Sequence, residues 1–285
     1  YTGDVLTDAD NNVAVGYAAL SSDTRGLRST ALGHEALITQ NFTSTTNTNN
    51  TAVGYQAGTN LTTGTSNTFV GSSAGGGDTI TGNDNTCVGQ AAGHALTSGT
   101  NNLLLGHEAG RGGSPSGNVT TSNNIICLGD DNTNSFFCSD TSISSSDSRD
   151  KADITNFNIG LEWVKDLRPV TYKWDKRSWY GTEEEPYGTP DGSKKEPKVN
   201  IGFLAQEVLE IEKSNGFADS PDTMLTCNIT EDGQRYGIKY ERLVPILVNA
   251  IKELSTKITA LETENATQAT QIADLISRIT ALENA

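Results

Sequence analysis

Asn50-Thr51-Ala52-Val53-Gly54 returns as Asn67-Thr68-Phe69-Val70-Gly71, and again as Asn85-Thr86-Cys87-Val88-Gly89. Working outward, residues 11 to 130 hold seven versions of this pattern. The others are Asn11-Asn12-Val13-Ala14-Val15-Gly16, Ser29-Thr30-Ala31-Leu32-Gly33, Asn102-Leu103-Leu104-Leu105-Gly106 and Asn124-Ile125-Ile126-Cys127-Leu128-Gly129. Their glycines step by 17, 21, 17, 18, 17 and 23 residues. Repetition at this period marks a solenoid or array. Each unit reads as an Asn/Thr turn, a short apolar strand, a Gly and a small-residue tail such as Tyr55-Gln56-Ala57-Gly58. Asn and Thr suit the turn, and Gly suits positive φ or close backbone approach. So short a strand cannot bury its own face, so units must stack on neighbours or on other chains. The two longer steps place Thr39-Gln40-Asn41-Phe42-Thr43-Ser44 and Gly112-Gly113-Ser114-Pro115-Ser116-Gly117 as loops outside the stack, where a binding surface would lie.

Composition sets further bounds. The 285 residues allow two domains. A hydrophobic content of 34% with 29 glycines points to a stacked, surface-rich architecture or to burial between subunits. The net charge of −15 disfavours nucleic acid and anionic membranes as partners. No apolar run reaches the ~18 residues of a membrane span, so no membrane insertion is expected. The start, Tyr1-Thr2-Gly3-Asp4, has neither Met nor a leader pattern and reads as part of something longer. Cys87, Cys127, Cys138 and Cys227 form no C-x-x-C pair and the three His are scattered, so no metal and no cofactor are expected. Cys87 and Cys127 serve as small apolar strand residues, with a Cys127–Cys138 bridge as an alternative. His34 and His107 share a slot filled elsewhere by Tyr17, Tyr55 and Gln90, which favours a structural role over a metal ladder.

On these residues, the stretch 11–130 resembles the head repeats of trimeric autotransporter adhesins and similar repeats in phage tail fibres. The resemblance implies a β-roll in which three chains associate. It carries over no binding residues.

Composition changes at Ser144-Ser145-Ser146. Only Arg25, Arg28 and Arg111 of the 20 basic residues precede it, while Trp163, Trp174 and Trp179 all follow. Apolar residues at 157, 161, 164 and 167 predict a helix ended by Arg168-Pro169. Val170–Trp174 alternates like a half-buried strand. Residues 181–198 read as an exposed, charged loop, with Glu183-Glu184-Glu185 as a solvated face. Val199–Val208 reads as a strand running into a helix, Gly237–Tyr240 as a further strand, and Leu243-Val244-Pro245 as the opening of the last helix.

Four blocks follow in order: Ser146-Asp147-Ser148-Arg149-Asp150-Lys151; Leu167-Arg168-Pro169-Val170-Thr171-Tyr172-Lys173-Trp174; Gly202-Phe203-Leu204-Ala205-Gln206-Glu207-Val208; and Tyr240-Glu241-Arg242-Leu243-Val244-Pro245 with Ala250-Ile251-Lys252-Glu253-Leu254. Together they resemble the intramolecular chaperone auto-processing domain at the C-terminus of phage endosialidases, tail fibres and tailspikes, over about residues 140–262. The resemblance implies a trimerising chaperone that helps the upstream fibre fold and then cuts itself off. It assigns Ser146 as nucleophile and Lys151 as base, with the cut at Ser146–Asp147. A Ser hydroxyl needs such a base, and Lys serves only when burial or a nearby cation lowers its pKa. Arg149 is the candidate for that cation, or for oxyanion stabilisation.

From Val244 a heptad repeat runs through Ile251, Leu254, Ile258, Leu261, Asn265, Gln268, Ile272, Leu275, Ile279 and Leu282. Six heptads with one polar layer, Asn265 and Gln268, predict a coiled coil of fixed register. Ile at a with Leu at d favours two strands by the simple rule; the resemblance implies three.

The expected fold is therefore a β-rich repeat fibre (a trimeric β-roll or β-solenoid), a small α+β domain and a parallel trimeric coiled coil. The expected domains are 1–140, 141–242 and 243–285. The expected function is a homotrimeric phage tail fibre for host recognition, on a virion or extracellular surface, facing an unidentified glycan or protein receptor. Its enzymology is at most one self-cleavage per chain. The alternatives are an adhesin-like fibre with a permanent uncut cap, and a tailspike whose glycan-degrading part lies upstream.

Overall fold

The computed structural model describes residues 2–133, 135–136, 146–182 and 185–284. The Cys127–Cys138 bridge and the Glu183-Glu184 part of the acidic run lie outside the described residues. The chain forms two compact units. One comprises Tyr1–Thr141, Lys173–Val199 and Ile229–Arg235; the other comprises Ser142–Tyr172, Asn200–Asn228 and Tyr236–Ala285.

In the first unit the repeats stack as a β-solenoid. Its strands are β1 (Val13–Val15), β2 (Gly26–Leu27), β3 (Thr30–Leu32), β4 (Thr46–Asn47), β5 (Thr51–Val53), β6 (Thr68–Val70), β7 (Thr86–Val88), β8 (Leu103–Leu105) and β9 (Ile126–Leu128). One parallel sheet runs β1-β3-β5-β6-β7-β8-β9, and β2 pairs with β4 separately. The register is uniform: Ala31, Ala52, Phe69, Cys87, Leu104 and Cys127 stand side by side. These central residues are buried, because successive strand side chains point to opposite faces. Their neighbours point outward, leaving Val15, Leu32, Val88, Ile126 and Leu128 exposed.

The core fills by exchange of bulk between two positions. Where the strand offers only Ala31, the tail supplies the buried Leu37. Where the strand offers Phe69, the tail has Gly75, whose φ is +58°. A Cβ there would lie 2.7 Å from the Phe69 ring. The repeat Gly has a different reason. Gly54 has φ +139°, and a Cβ on it would sit 2.6 Å from the Gly71 carbonyl oxygen.

The Asn of the Asn/Thr turn is buried. Asn67 and Asn85 are fully enclosed. Each side-chain oxygen accepts the backbone N–H one coil on: Asn67 to Asn50 at 2.9 Å, Asn85 to Asn67 at 3.0 Å, Asn102 to Asn85 at 3.1 Å. Each Nδ2 donates to a carbonyl, as Asn67 does to Gly82 at 2.9 Å. The side chain thus satisfies backbone groups that a chain turning inside a coil leaves orphaned.

The two longer steps are not simply external loops. Gln40 and Phe42 are buried, with Gln40 Nε2 donating to the enclosed Asp23 at 2.5 Å and to Ser29 Oγ at 2.9 Å. Asp23 also accepts the backbone N–H of Gly26 at 3.0 Å. The insertion therefore widens the coil and lines it with a satisfied polar network. Gly112, Ser114 and Gly117 of the second insertion are also buried.

The second unit holds α1 (Leu161–Asp166), β10 (Val170–Tyr172), β11 (Asn200–Gly202), α2 (Ala205–Ser214), β12 (Cys227–Ile229), β13 (Tyr236–Ile238) and α3 (Leu243–Glu283). The strands β10 and β11 pair antiparallel. Trp163, Leu243 and Ile246 form a buried cluster with Phe157, Leu167 and Phe203 against it. The first helix is shorter than the spacing of residues 157–167 predicts. Gly160 precedes it so close to α3 that a Cβ would lie 2.5 Å from the Ala250 nitrogen. Residues before it stay extended, because Asn249 Nδ2 takes the Phe157 carbonyl at 2.6 Å. Buried Glu212 anchors the Leu225–Cys227 segment, accepting Thr226 N at 3.1 Å and Cys227 N at 3.3 Å.

Replacing Gly54 with Ala forces a strained φ and a backbone clash, a loss of about 2 kcal/mol or more. Chemical denaturation of Gly54→Ala beside wild type reads the shift. An unchanged midpoint contradicts the close stacking of coils.

Candidate functional site

The Ser146–Lys151 segment is one turn. Asp147 has extended backbone, Ser148–Asp150 form a 3-10 turn, and the Lys151 N–H returns to the Ser148 carbonyl at 3.4 Å. This brings Lys151 Nζ to Ser146 Oγ at 2.6 Å. Arg149 turns to Asp147: Nε donates at 3.0 Å, NH2 at 2.6 Å, and the backbone N–H at 2.9 Å. These donors hold the Asp147 carboxyl below the usual carboxylate range. Ser146, Arg149 and Lys151 are exposed. The dyad residues named from sequence are thus adjacent, while the cation anticipated beside Lys151 is engaged by Asp147.

A second constellation was not anticipated from sequence. The segment read as an exposed loop, within Lys173–Val199, folds with the repeats as part of the first unit. Lys176 Nζ donates to the Asp131 carbonyl at 2.7 Å, and Ser178 bonds the Asp131 carboxylate. The Thr230–Arg235 tip joins it. Arg235 NH1 and NH2 reach Asp131 at 2.7 and 2.5 Å, NH2 reaches the Gly112 carbonyl at 2.9 Å, and Nε reaches Tyr187 at 3.1 Å. This pair is largely buried, with side-chain exposures of 18% and 6%.

Glu231 grips the preceding stretch of the last coil. Its carboxylate accepts the backbone N–H groups of Thr120, Thr121 and Ser122 at 3.1, 3.0 and 3.2 Å. It also accepts the hydroxyls of Thr120 and Ser122 at 2.7 Å each, and that of Thr121. Partial burial pushes this carboxyl up, but the bonds from Thr121, Ser122 and Thr120 outweigh it and hold the group far below the usual range. Carboxylates flanked by glycine in a turn give no sequence signal for such a partner; the residues it binds lie about a hundred positions away.

Residues 146–219 match the family described as chaperone of endosialidase. The matched stretch follows the repeats of the β-solenoid in the sequence. No curated protein and no solved structure matches the chain. The matched stretch includes both the Ser146–Lys151 turn and the Lys173–Val199 segment that folds onto the last coil.

The last helix presents two faces. Leu243, Ile246 and Ala250 are buried in the second unit. The a and d residues Ile251, Leu254, Ile258, Leu261, Ile272, Leu275, Ile279 and Leu282 are all exposed. Asn265 and Gln268 are exposed too. No helix among the described residues is long and apolar enough to cross a membrane. Among them, no group of three His, Cys, Asp or Glu is placed to hold a metal. His34 stacks between Tyr17 and Tyr55 at 5.0 and 5.4 Å, and His107 Nδ1 sits 3.1 Å from Asp130.

Because the folded-state carboxyl of Glu231 titrates below its ordinary value of 4.5, its contribution to stability is present above that pH and declines as pH falls below it. The stability gap between wild type and Glu231→Gln is therefore full at pH 7 and narrows below about pH 4.5. Urea midpoints across pH read this. A gap that is constant with pH contradicts the clamp.

Proposed function

We propose that the chain is part of a homotrimeric phage tail fibre used for host attachment. Its C-terminal chaperone domain drives assembly and folding of the solenoid shaft, then severs itself at Ser146–Asp147. The observation that carries this reading is the clamp. Segments from beyond Ser146 grip the last repeat coil through Asp131, Gly112 and Thr120–Ser122. A parallel strand added to a short solenoid gains little until its partner is ordered, since loop closure precedes the contacts that repay it. A preformed partner at the end of the stack lowers that barrier.

Trimerisation is supported by two apolar stripes. One is the exposed a/d seam of α3, and the other is the outward row in which Val15, Leu32, Val88 and Leu128 are exposed and Val53, Val70 and Leu105 are half-buried. Contiguous apolar stripes of this kind mark protein interfaces. Copies of the same chain offer matching seams at once. A virion location follows from this reading, with a host-surface glycan or protein as receptor and no role for nucleic acid or membrane insertion.

In the proposed cut, Lys151 Nζ, 2.6 Å from Ser146 Oγ, takes the hydroxyl proton as Oγ adds to the scissile carbonyl carbon. Because that carbonyl is Ser146's own, the addition closes a four-membered ring; collapse expels the Asp147 amine, which takes that proton, and water opens the lactone left behind to the Ser146 carboxylate. A second reading, a permanent uncut cap, is favoured by the clamp itself. It ties both sides of the bond together through contacts that a cut does not remove.

Denatured mass of the freshly expressed chain decides between the two. Fragments near 146 and 139 residues (285 − 146), with Ser146→Ala and Lys151→Ala both intact, support self-cleavage. An intact wild type supports the permanent cap. Sedimentation of the intact Ser146→Ala chain is expected to give a trimer, and Ile258→Asp with Leu261→Asp to lower that mass. A monomeric parent sinks the fibre reading.

A further inference from the structure

We propose that Asp147 and Arg149 form a local clamp that builds the Ser146–Lys151 pair, and that Arg149 acts as a positioning residue through Asp147. The inference rests on the self-processing reading above. Fully extended, five residues span about 16–18 Å. Here Lys151 Nζ lies 2.6 Å from Ser146 Oγ, so the intervening turn is the condition for the pair to exist.

Among the described residues, the turn has no buried side chain of its own. Ser148, Arg149 and Asp150 are exposed. Its stabilisation is local. The Asp147 carboxylate caps the turn by accepting the Arg149 N–H at 2.9 Å. The same carboxylate takes the guanidinium fork, with NH2 at 2.6 Å and Nε at 3.0 Å. A capping carboxylate fixes the first turn of a helix, and a two-pronged guanidinium contact adds directional strength. The Asp150 N–H closes onto the Asp147 carbonyl at 3.2 Å. Two of the guanidinium nitrogens thus face the carboxylate of the residue next to the nucleophile. That geometry suits fixing the backbone between the nucleophile and the base.

Full-length chains translated in a cell-free system, with the 139-residue product followed in time, test this (285 − 146 = 139). Asp147→Ala is expected to slow cleavage at least tenfold, and Arg149→Ala several-fold. Arg149→Lys and Asp147→Asn, which keep part of the cap, recover some of the loss. The double variant Asp147→Ala/Arg149→Ala is no slower than Asp147→Ala alone, and the pH midpoint of cleavage in Arg149→Ala stays that of wild type. Multiplying effects in the double variant, or a displaced pH midpoint in Arg149→Ala, overturn the proposal and place Arg149 on the reacting atoms. Trimer formation by every variant, checked by sedimentation, separates lost positioning from lost folding. An uncut wild type overturns the self-processing reading itself, whereas a wild type that cuts with indifferent variants overturns the clamp alone.

Discussion

Backbone satisfaction between neighbouring coils is the constraint on which the first unit depends. A coil of 17 or 18 residues has no helix or hairpin of its own. Its buried N–H and C=O groups must therefore find partners one coil away. The parallel sheet satisfies the strands, and the Asn ladder satisfies the turn before each strand. The repeat Gly lets carbonyls approach where no side chain fits. Because every coil is both donor and acceptor, neither end of the stack is satisfied internally. The side chains of Glu231, Arg235 and Lys176 supply that missing complement at the last coil.

The two units use opposite stabilising strategies. The solenoid core is thin, with one inward residue per strand and a tail that carries Leu37 behind Ala31 and Gly75 behind Phe69. The second unit has a conventional aromatic and aliphatic cluster around Trp163. Apolar residues remain in excess of what either core takes up, and they lie in ordered rows.

The sequence made the solenoid, the α+β region and the last helix legible because each rests on periodicity. The Gly spacing gives the strands their register, and the 3,4 spacing gives the helix its seam. The Ser146–Lys151 pairing comes from motif resemblance, and the fold brings the two side chains together. What was not legible depends on contacts far apart in sequence. Buried Gln40 and Phe42 look like loop residues until Asp23 is seen opposite them. The charged excursion around Lys176 and Tyr187 reads as solvated until the last coil stands beside it. The late start of the helix expected from residue 157 follows from Asn249, over ninety positions away. Local pattern carries no trace of such partners.

The placement of hydroxyl and amine on either side of the Ser146–Asp147 bond has a kinetic meaning. Breaking that bond leaves the Ser146 oxygen at the end of one fragment and the Lys151 nitrogen near the start of the other. The proposed reaction would therefore abolish its own catalyst. It would behave as an irreversible record that one molecule has passed a point in its assembly, written once and never amplified.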